Sequence, residues 1–498
     1  MRTPPAADQP PRLAGYAATA EAAWMGAPQA TEFLEPLRLP RLRLPRLLNR
    51  EFGVAGATAL LMASFFFSAL LGAVRQILFN RQFGAGADAS AYYAAFRLPD
   101  TLFSLVAGGA LSSAFIPVLL RTRREDGEAS EWRLTSLVLN SLLAGVLVIT
   151  LVGELAAPLF VNHLLVPGYD AQTQALTVRL TRIMLVQPLV LVVGSVATAV
   201  LNSRNQFLLT ALSVASHNLA LIGGILATAA YPRLGIYGPT LGVVAGAVLQ
   251  ALILLPGVAG SGTRYRRVWD TRDRDLREVI RLLVPNGLAV GVIYLGFIID
   301  TAFASRADDP ATLAAVHNAW LLVGLPIALL GQAVGQAAFP RLAAHAADGA
   351  YAALRRDLIR ALLAMLLLSL IGVGGLFLTG QIAVRILFQH GSFSAHDGEL
   401  TTRLLHVYAL GLPAYVASEV LIRSLLALRD PRTQLLTNSG QIGLRAVLLT
   451  LLLGAFQGTA IPAALAVSAS AEAVLLAAIV FRRLQRLTRT TPAAPAPP

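Results

Sequence analysis

Two arginines and two aspartates stand in apolar stretches, where a charge is hardest to keep. Arg75 lies in LLGAVRQ, Arg97 and Asp100 flank Pro99 in AAFRLPD, and Asp300 sits in GFIIDTAF. Ionisable side chains at membrane depth face a cavity or a partner. A guanidinium offers planar, paired donors that match phosphate oxygens. Arg75 and Arg97 are therefore candidate ligands for a phosphate-bearing group in a central cavity. Two competing readings stay open: Arg75 snorkelling to a headgroup, and Arg97 pairing with Asp100 three residues on. Asp300 is open between three roles: partner to one of these arginines, ligand to a coupling cation, or hydrated interfacial residue. Glu419 and Arg423, four apart, read as a structural intrahelical pair. His217 and His317 read as packing residues, and Gly242/Gly246 and Gly372/Gly375 as close helix contacts.

Other chemistry is not supported by the residues. With no cysteine there is no thiolate, disulfide or Cys-ligated metal. There is no HExxH, GxSxG or Walker sequence, and FGAGADA is a Gly-rich turn of little specificity. No catalytic residue, metal or cofactor is expected, and the reading is not of an enzyme.

The elements that must position these residues follow from composition. Charged residues are 13% of the 498, against about 25% in soluble domains, and mean hydropathy is +0.64. That excludes a soluble enzyme, a coiled coil and a disordered chain. The net charge of +13 is all arginine, set between apolar runs rather than gathered in one patch, which argues against nucleic acid. About twelve runs are long enough to cross roughly 30 Å of hydrocarbon. The fold expected is an all-α membrane protein of two six-helix lobes around a central cavity. The N-terminal lobe is placed at 51–257, a basic linker at 258–278 and the C-terminal lobe at 279–485. Residues 1–50, with LRLPRLRLPRLLNR, read as a disordered basic arm on anionic headgroups, and 486–498 as a disordered tail.

Arginines alternate between loops. Arg121, Arg123, Arg124 and Arg133 follow the second run, Arg264 to Arg277 the sixth, and Arg482 to Arg489 the last. The intervening loops hold few, chiefly Arg81, Arg233 and Arg306. Cytoplasmic loops concentrate arginine, so both termini are expected inside a multi-pass cytoplasmic-membrane protein. The halves repeat: FIPVLLR at Phe115–Arg121 and FPRLA at Phe339–Ala343 each follow a small-residue run. Paired lobes of this kind place a transport site at their interface.

The stretch Ser68 to Leu120, with FGAGADASAYYAAFRLPD and GGALSSAFIPVLL, resembles the opening helix pair of the MurJ (MviN) lipid II flippases. VLNSRNQF at Val200–Phe207, GAVLQ at Gly246–Gln250 and RILFQHGSFSAHD at Arg385–Asp397 extend the resemblance over about residues 54 to 485. It implies the multidrug/oligosaccharidyl-lipid/polysaccharide exporter fold with a cationic cavity. It also implies translocation of undecaprenyl-diphosphate-linked peptidoglycan precursor, with membrane lipids and cell-wall synthesis proteins as further partners. Arg75 and Arg97 match the family pattern. The family's other charges fall on Ala69, Gln76, Ser90, Phe103, Ser104, Gly108 and Leu321, and the family's two extra C-terminal helices have no counterpart here. Export of another polyprenyl-linked glycan, or a non-transporting scaffold of an envelope-synthesis complex, stays open as the alternative.

Overall fold

Lipid offers the backbone no hydrogen-bond partner, so each apolar run must satisfy its own N–H and C=O groups as a helix. The computed structural model describes residues 37–38, 54–106, 109–262 and 264–490. The expected arm and the last eight residues lie outside the described residues, save Leu37–Arg38, which pairs antiparallel with Arg264–Tyr265. The α-helices are α1 (Val54–Phe83), α2 (Ala87–Val106), α3 (Gly109–Phe160), α4 (Ala171–Met184), α5 (Gln187–Ser203), α6 (Leu208–Ala230) and α7 (Tyr237–Gly260). They continue as α8 (Arg274–Ala304), α9 (Thr312–Pro326), α10 (Ala333–Ala347), α11 (Tyr351–Leu387), α12 (Ala395–Leu410), α13 (Leu412–Ala427), α14 (Pro431–Phe456) and α15 (Ala460–Thr490).

Among the described residues nine helical stretches are long and apolar enough to cross a membrane, and the pair α12–α13, bent by 47°, makes ten. Two of them, Ala87–Leu165 with 79 residues and Pro431–Arg489 with 59, are too long for one crossing, which takes about 20 residues. The first breaks at Gly127, where φ is +81°, and the two parts of α3 share one apolar core. The second turns at Gln457–Thr459. Counting each as two gives twelve crossings. The protein is an all-α, multi-pass membrane protein of two six-helix lobes around a central cavity.

Helix starts are set by short polar side chains, as capping requires. Asp170 accepts from the Gln172 and Thr173 amides, Asp273 from those of Asp275 and Leu276. Ser394 and Asp397 form a capping box at α12. Asp430 caps α14; bonds from the Thr433 hydroxyl and amide, aided by Arg483, hold its carboxyl below the usual carboxylate range. Two boundaries differ from the sequence expectation. Helix runs to Gly260 and restarts at Arg274, so the linker is shorter than 258–278. Helix α15 continues to Thr490, with Arg489 in a last turn that favours positive charge.

Small residues let α6 and α7 approach closely. A Cβ at Gly242 would stand 3.1 Å from the Leu221 Cα, and Gly246 lies against His217. Gly372 likewise faces Leu412, but Gly375 has open space before it, so the second glycine pair is only half a packing device. Helix α8 packs on α2 and α3 as well as on α14. At the arginine-rich end, Arg121 bonds Asp275 and Glu278 at 2.8 Å, and Arg133 bonds Asp273 at 2.9 Å. Glu131, 1% exposed, holds Arg204 at 2.9 Å, and Arg204 also lies over the Trp132 ring.

Removing one partner of a buried ion pair costs about 3–5 kcal/mol. Glu131→Ala is therefore expected to lower the unfolding temperature in detergent clearly, while Glu125→Ala, at an exposed position, leaves it unchanged. Equal unfolding temperatures for both variants would show that the Glu131 pair does not stabilise the fold.

Candidate functional site

Helical spacing gathers the site. On α1, Arg75 and Phe79 share one face, as do Gln76 and Asn80; on α2, Tyr93 and Arg97 do the same. Arg75, Gln76, Phe79, Tyr92, Tyr93 and His317 line a cavity of about 70 Å³. A larger one, about 210 Å³, is lined by Arg97, Asp300, His317, Trp320, Arg445 and Glu472 among others. His317 lies on the wall of both.

Arg75 does not snorkel to a helix end. Its Nη1 donates to the Asn218 Oδ1 on α6 at 3.2 Å, and the side chain is half-buried. Nor does Arg97 form an ion pair with Asp100. Its Nε donates to the Thr301 hydroxyl at 3.1 Å, and its guanidinium lies 5.3 Å from the centre of the Phe297 ring. Helix α8 thus claims Arg97, while Asp100 lies near Tyr294, whose hydroxyl accepts from Ser104 at 2.7 Å. Although Asp100 is near enough to act on Arg97 through space, neither arginine makes a hydrogen-bonded ion pair with a carboxylate. They line adjacent cavities, not a single one.

Asp300 corrects the sequence reading. It pairs with neither Arg75 nor Arg97 but with Arg445 on α14, and both side chains are buried. Arg445, between QIGL and the apolar run AVLLTLLLGAF, carries the same signal as Arg75 and is a cavity residue that sequence reasoning missed. His317 is more than a packing residue, since it stacks on Tyr93 at 4.0 Å and bridges the two cavities. His217 packs against Gly246, and Glu419 meets Arg423 at 3.5 Å as an intrahelical pair. Among the described residues no cluster of His, Cys, Asp or Glu could hold a metal ion.

The end of the molecule where α1 turns into α2 is closed by contacts between the halves. The Gln76 amide donates to the Tyr93 hydroxyl and, at 2.9 Å, to the Asn318 Oδ1. Asn80 and Asn318 exchange hydrogen bonds at 2.9 and 3.4 Å. Ser90 donates to the Pro310 carbonyl at 2.7 Å. Gln76, Asn80, Ser90 and Asn318 are all buried. Backbone approaches complete the closure. Gly84, at φ +66°, lies so near the Ser392 carbonyl that a Cβ would stand 2.5 Å from it. Ser392 N donates to the Arg81 carbonyl at 2.9 Å, and Gly168 N to the Ser305 hydroxyl at 3.2 Å. FGAGADA and RILFQHGSFSAHD, far apart in sequence, meet at this seam.

A cavity with arginines, aromatic walls of Trp320, Tyr408 and Tyr415, and no nucleophile–base arrangement is suited to binding an anionic headgroup. Known proteins share the fold and the sequence pattern. A family model described as "Lipid II flippase MurJ" matches residues 79–493. A probable lipid II flippase MurJ of Rhizobium tropici is 28% identical over 421 residues, which are 84% of this chain and 79% of that protein. The lipid II flippase MurJ of Burkholderia cenocepacia is 31% identical over 377 residues, 74% of this chain and 72% of that protein. A solved lipid II flippase MurJ in an inward closed conformation has TM-score 0.73 at 21% identity, covering 86% of this chain and 90% of that one. An inward-facing MATE family transporter has TM-score 0.72 at 13% identity, with 85% and 96% covered. The structural likenesses carry the fold, and the sequence matches carry the family: this chain belongs to the lipid II flippase MurJ family.

Proposed function

We propose that this chain translocates undecaprenyl-diphosphate-linked peptidoglycan precursor (lipid II) across the bacterial cytoplasmic membrane by alternating access. The observation that carries the reading is the arginine-bearing central cavity, sealed at the α1–α2 end, in a chain of this family. A diphosphate crossing hydrocarbon must exchange its hydration for fixed donors, and arginine supplies them in pairs. Arg97 is assigned to the headgroup phosphates, with Arg75 in the adjoining cavity as the second ligand. Asp100, beside Tyr294, is read as a positioning group rather than a ligand. Nothing in such transport requires a bond to be made or broken, so the chain acts as a transporter and not as an enzyme, without cofactor or metal. Lipid II, membrane lipids and cell-wall synthesis proteins are its partners.

In this reading the N-terminal lobe ends with α7 at Gly260, the C-terminal lobe begins with α8 at Arg274, and the basic linker between them lies on the cytoplasmic side. The sealed end faces outward and the arginine-rich end inward, as positive charge sorts across membranes. Single cysteines at Arg123, Ala87 and Arg266 in this cysteine-free chain are expected to label from inside, outside and inside respectively. Outside labelling at position 123 would overturn the orientation.

One observation favours a second reading. Gln76 and Ser90 place neutral groups where the family carries acids, and Phe103 and Ser104 replace arginines, which suits a non-transporting scaffold of an envelope-synthesis complex. Rescue of cells depleted of their own lipid II flippase separates the two. The flippase reading expects rescue; membrane insertion without rescue would favour the scaffold. Hydrogen bonds to charged groups contribute about 1.5–3 kcal/mol, so Arg97→Ala is expected to weaken lipid II binding by about tenfold or more. Arg97→Lys, with only a point charge, should recover part of it. Arg423→Ala, outside the cavity, should bind like the wild type. Unchanged binding in a folded Arg75→Ala/Arg97→Ala variant would remove these residues from the site.

A further inference from the structure

The ion pair between Asp300 and Arg445 sits in an unexpected place. Both side chains line the larger cavity together with Arg97, although their exposures are only 7% and 6%. The pair joins α8 to α14 through one guanidinium nitrogen and one carboxylate oxygen. The Asp300 Oδ1 and the Arg445 Nε are buried without a hydrogen-bond partner. A purely structural Arg–Asp pair at this depth gains most from the bidentate fork, and buried polar groups are normally satisfied. Here half of each fork is left over, beside a cavity.

Glycine at 296 makes room for this arrangement. A Cβ there would stand 3.1 Å from the Arg445 Nη1, so the guanidinium lies along α8 at the point where α8 forms the cavity wall. The next residue, Thr301, is the anchor of Arg97. Consecutive residues of one helix therefore hold two arginines that reach the same cavity from α2 and from α14. Thr301 leaves the charge of Arg97 intact, whereas Asp300 cancels that of Arg445. An incoming diphosphate changes this balance, because it brings negative charge that Arg445 can take in place of Asp300.

We propose that Arg445 is a third phosphate ligand of the transport site, and that Asp300 is the stand-in anion that holds it when the cavity is empty. The inference rests on the headgroup reading of the cavity given above. On binding, a phosphate oxygen displaces the Asp300 carboxylate from the guanidinium, and Asp300 is left facing the cavity, where water can solvate it. The exchange also releases the tie between α8 and α14, so occupancy of the site reaches the helix that packs on both halves.

The test uses the full-length protein in detergent and lipid II as the probe, with binding read by native mass spectrometry and folding by unfolding temperature. Asp300→Asn removes the competing anion, and binding is expected to become several-fold tighter. Arg445→Gln should bind about tenfold more weakly or worse, and Arg445→Lys should fall between it and the wild type. Single substitutions leave one charge unpaired and can destabilise the fold, so the decisive protein is Asp300→Asn/Arg445→Gln. It is expected to unfold near the wild-type temperature yet bind as weakly as Arg445→Gln. Binding of the double variant at wild-type strength would overturn the inference and leave the pair a structural tie. So would Asp300→Asn weakening binding as much as Arg445→Gln does. Wild-type protein that binds no lipid II would instead overturn the flippase reading, and this inference with it.

Discussion

The two halves are clamped at one end by hydrogen bonds between neutral amides and hydroxyls. Gln76, Asn80, Tyr93 and Asn318 satisfy one another in a buried cluster, and Ser90 adds a bond to the Pro310 carbonyl. The chemistry of this clamp decides how the rest can work. A buried amide left without a partner costs about 1–3 kcal/mol, yet a satisfied one gains only about 0.5–1.5 kcal/mol over its hydrated state. The cluster is therefore intolerant of half-closure but cheap to exchange for water as a unit. Glycine approaches at Gly84 and Gly168 then let the backbones meet without side chains between them.

Beside the two adjacent cavities the arginine charges follow one pattern, with one exception. Arg75 and Arg97 are steadied by Asn218 and Thr301, which accept hydrogen bonds without cancelling charge. The partners fix position and leave the guanidinium field directed at whatever enters. Asp300 and Arg445 are the exception, and their incomplete geometry sets them apart from the ion pairs at the arginine-rich end. There, Arg121 engages Glu278 through two bonds of 2.8 and 2.9 Å, the form a permanent tie takes. Arg121 and Glu278 are doubly bonded; Asp300 and Arg445, beside the cavity, are not.

The crossings and the sorting of arginines were legible in the sequence, because hydrocarbon thickness imposes a length and the backbone imposes a helix. So was the local pair Glu419–Arg423, since four residues on a helix bring side chains together. The same logic left Arg97 open between Asp100 and a cavity. Asp100 is near in sequence, but the guanidinium is drawn across to Thr301, 204 residues away. Asp300 and Arg445 are likewise unrelated by any spacing, and only the packing of α8 on α14 unites them. The sequence signal that existed was the cost of each charge on its own, which Arg445 carried as clearly as Arg75. Gln76 and Ser90 read as lost charges because a single position shows what is absent. Their use became visible only when Asn318 and Pro310 were placed against them.

Helix α8 connects these features mechanically. At its start, Asp275 and Glu278 hold Arg121 of α3; midway, Gly287 and Gly291 lie against Leu105 of α2. Near its end, Gly296 admits Ile442 and Arg445 of α14, and just beyond it Ser305 receives the Gly168 amide. One helix therefore touches both halves along its length and reaches the clamp. Motion that parts Asn80 from Asn318 while the Arg121 bonds persist has to turn about the start of α8. At 287, 291 and 296 α8 sets no side chain of its own against Leu105 of α2 or Arg445 of α14, so a turn meets least resistance there. The cavity wall that carries Asp300 and Thr301 lies on the moving part, so a ligand bound there shifts the equilibrium only as far as it binds the two positions of that wall unequally.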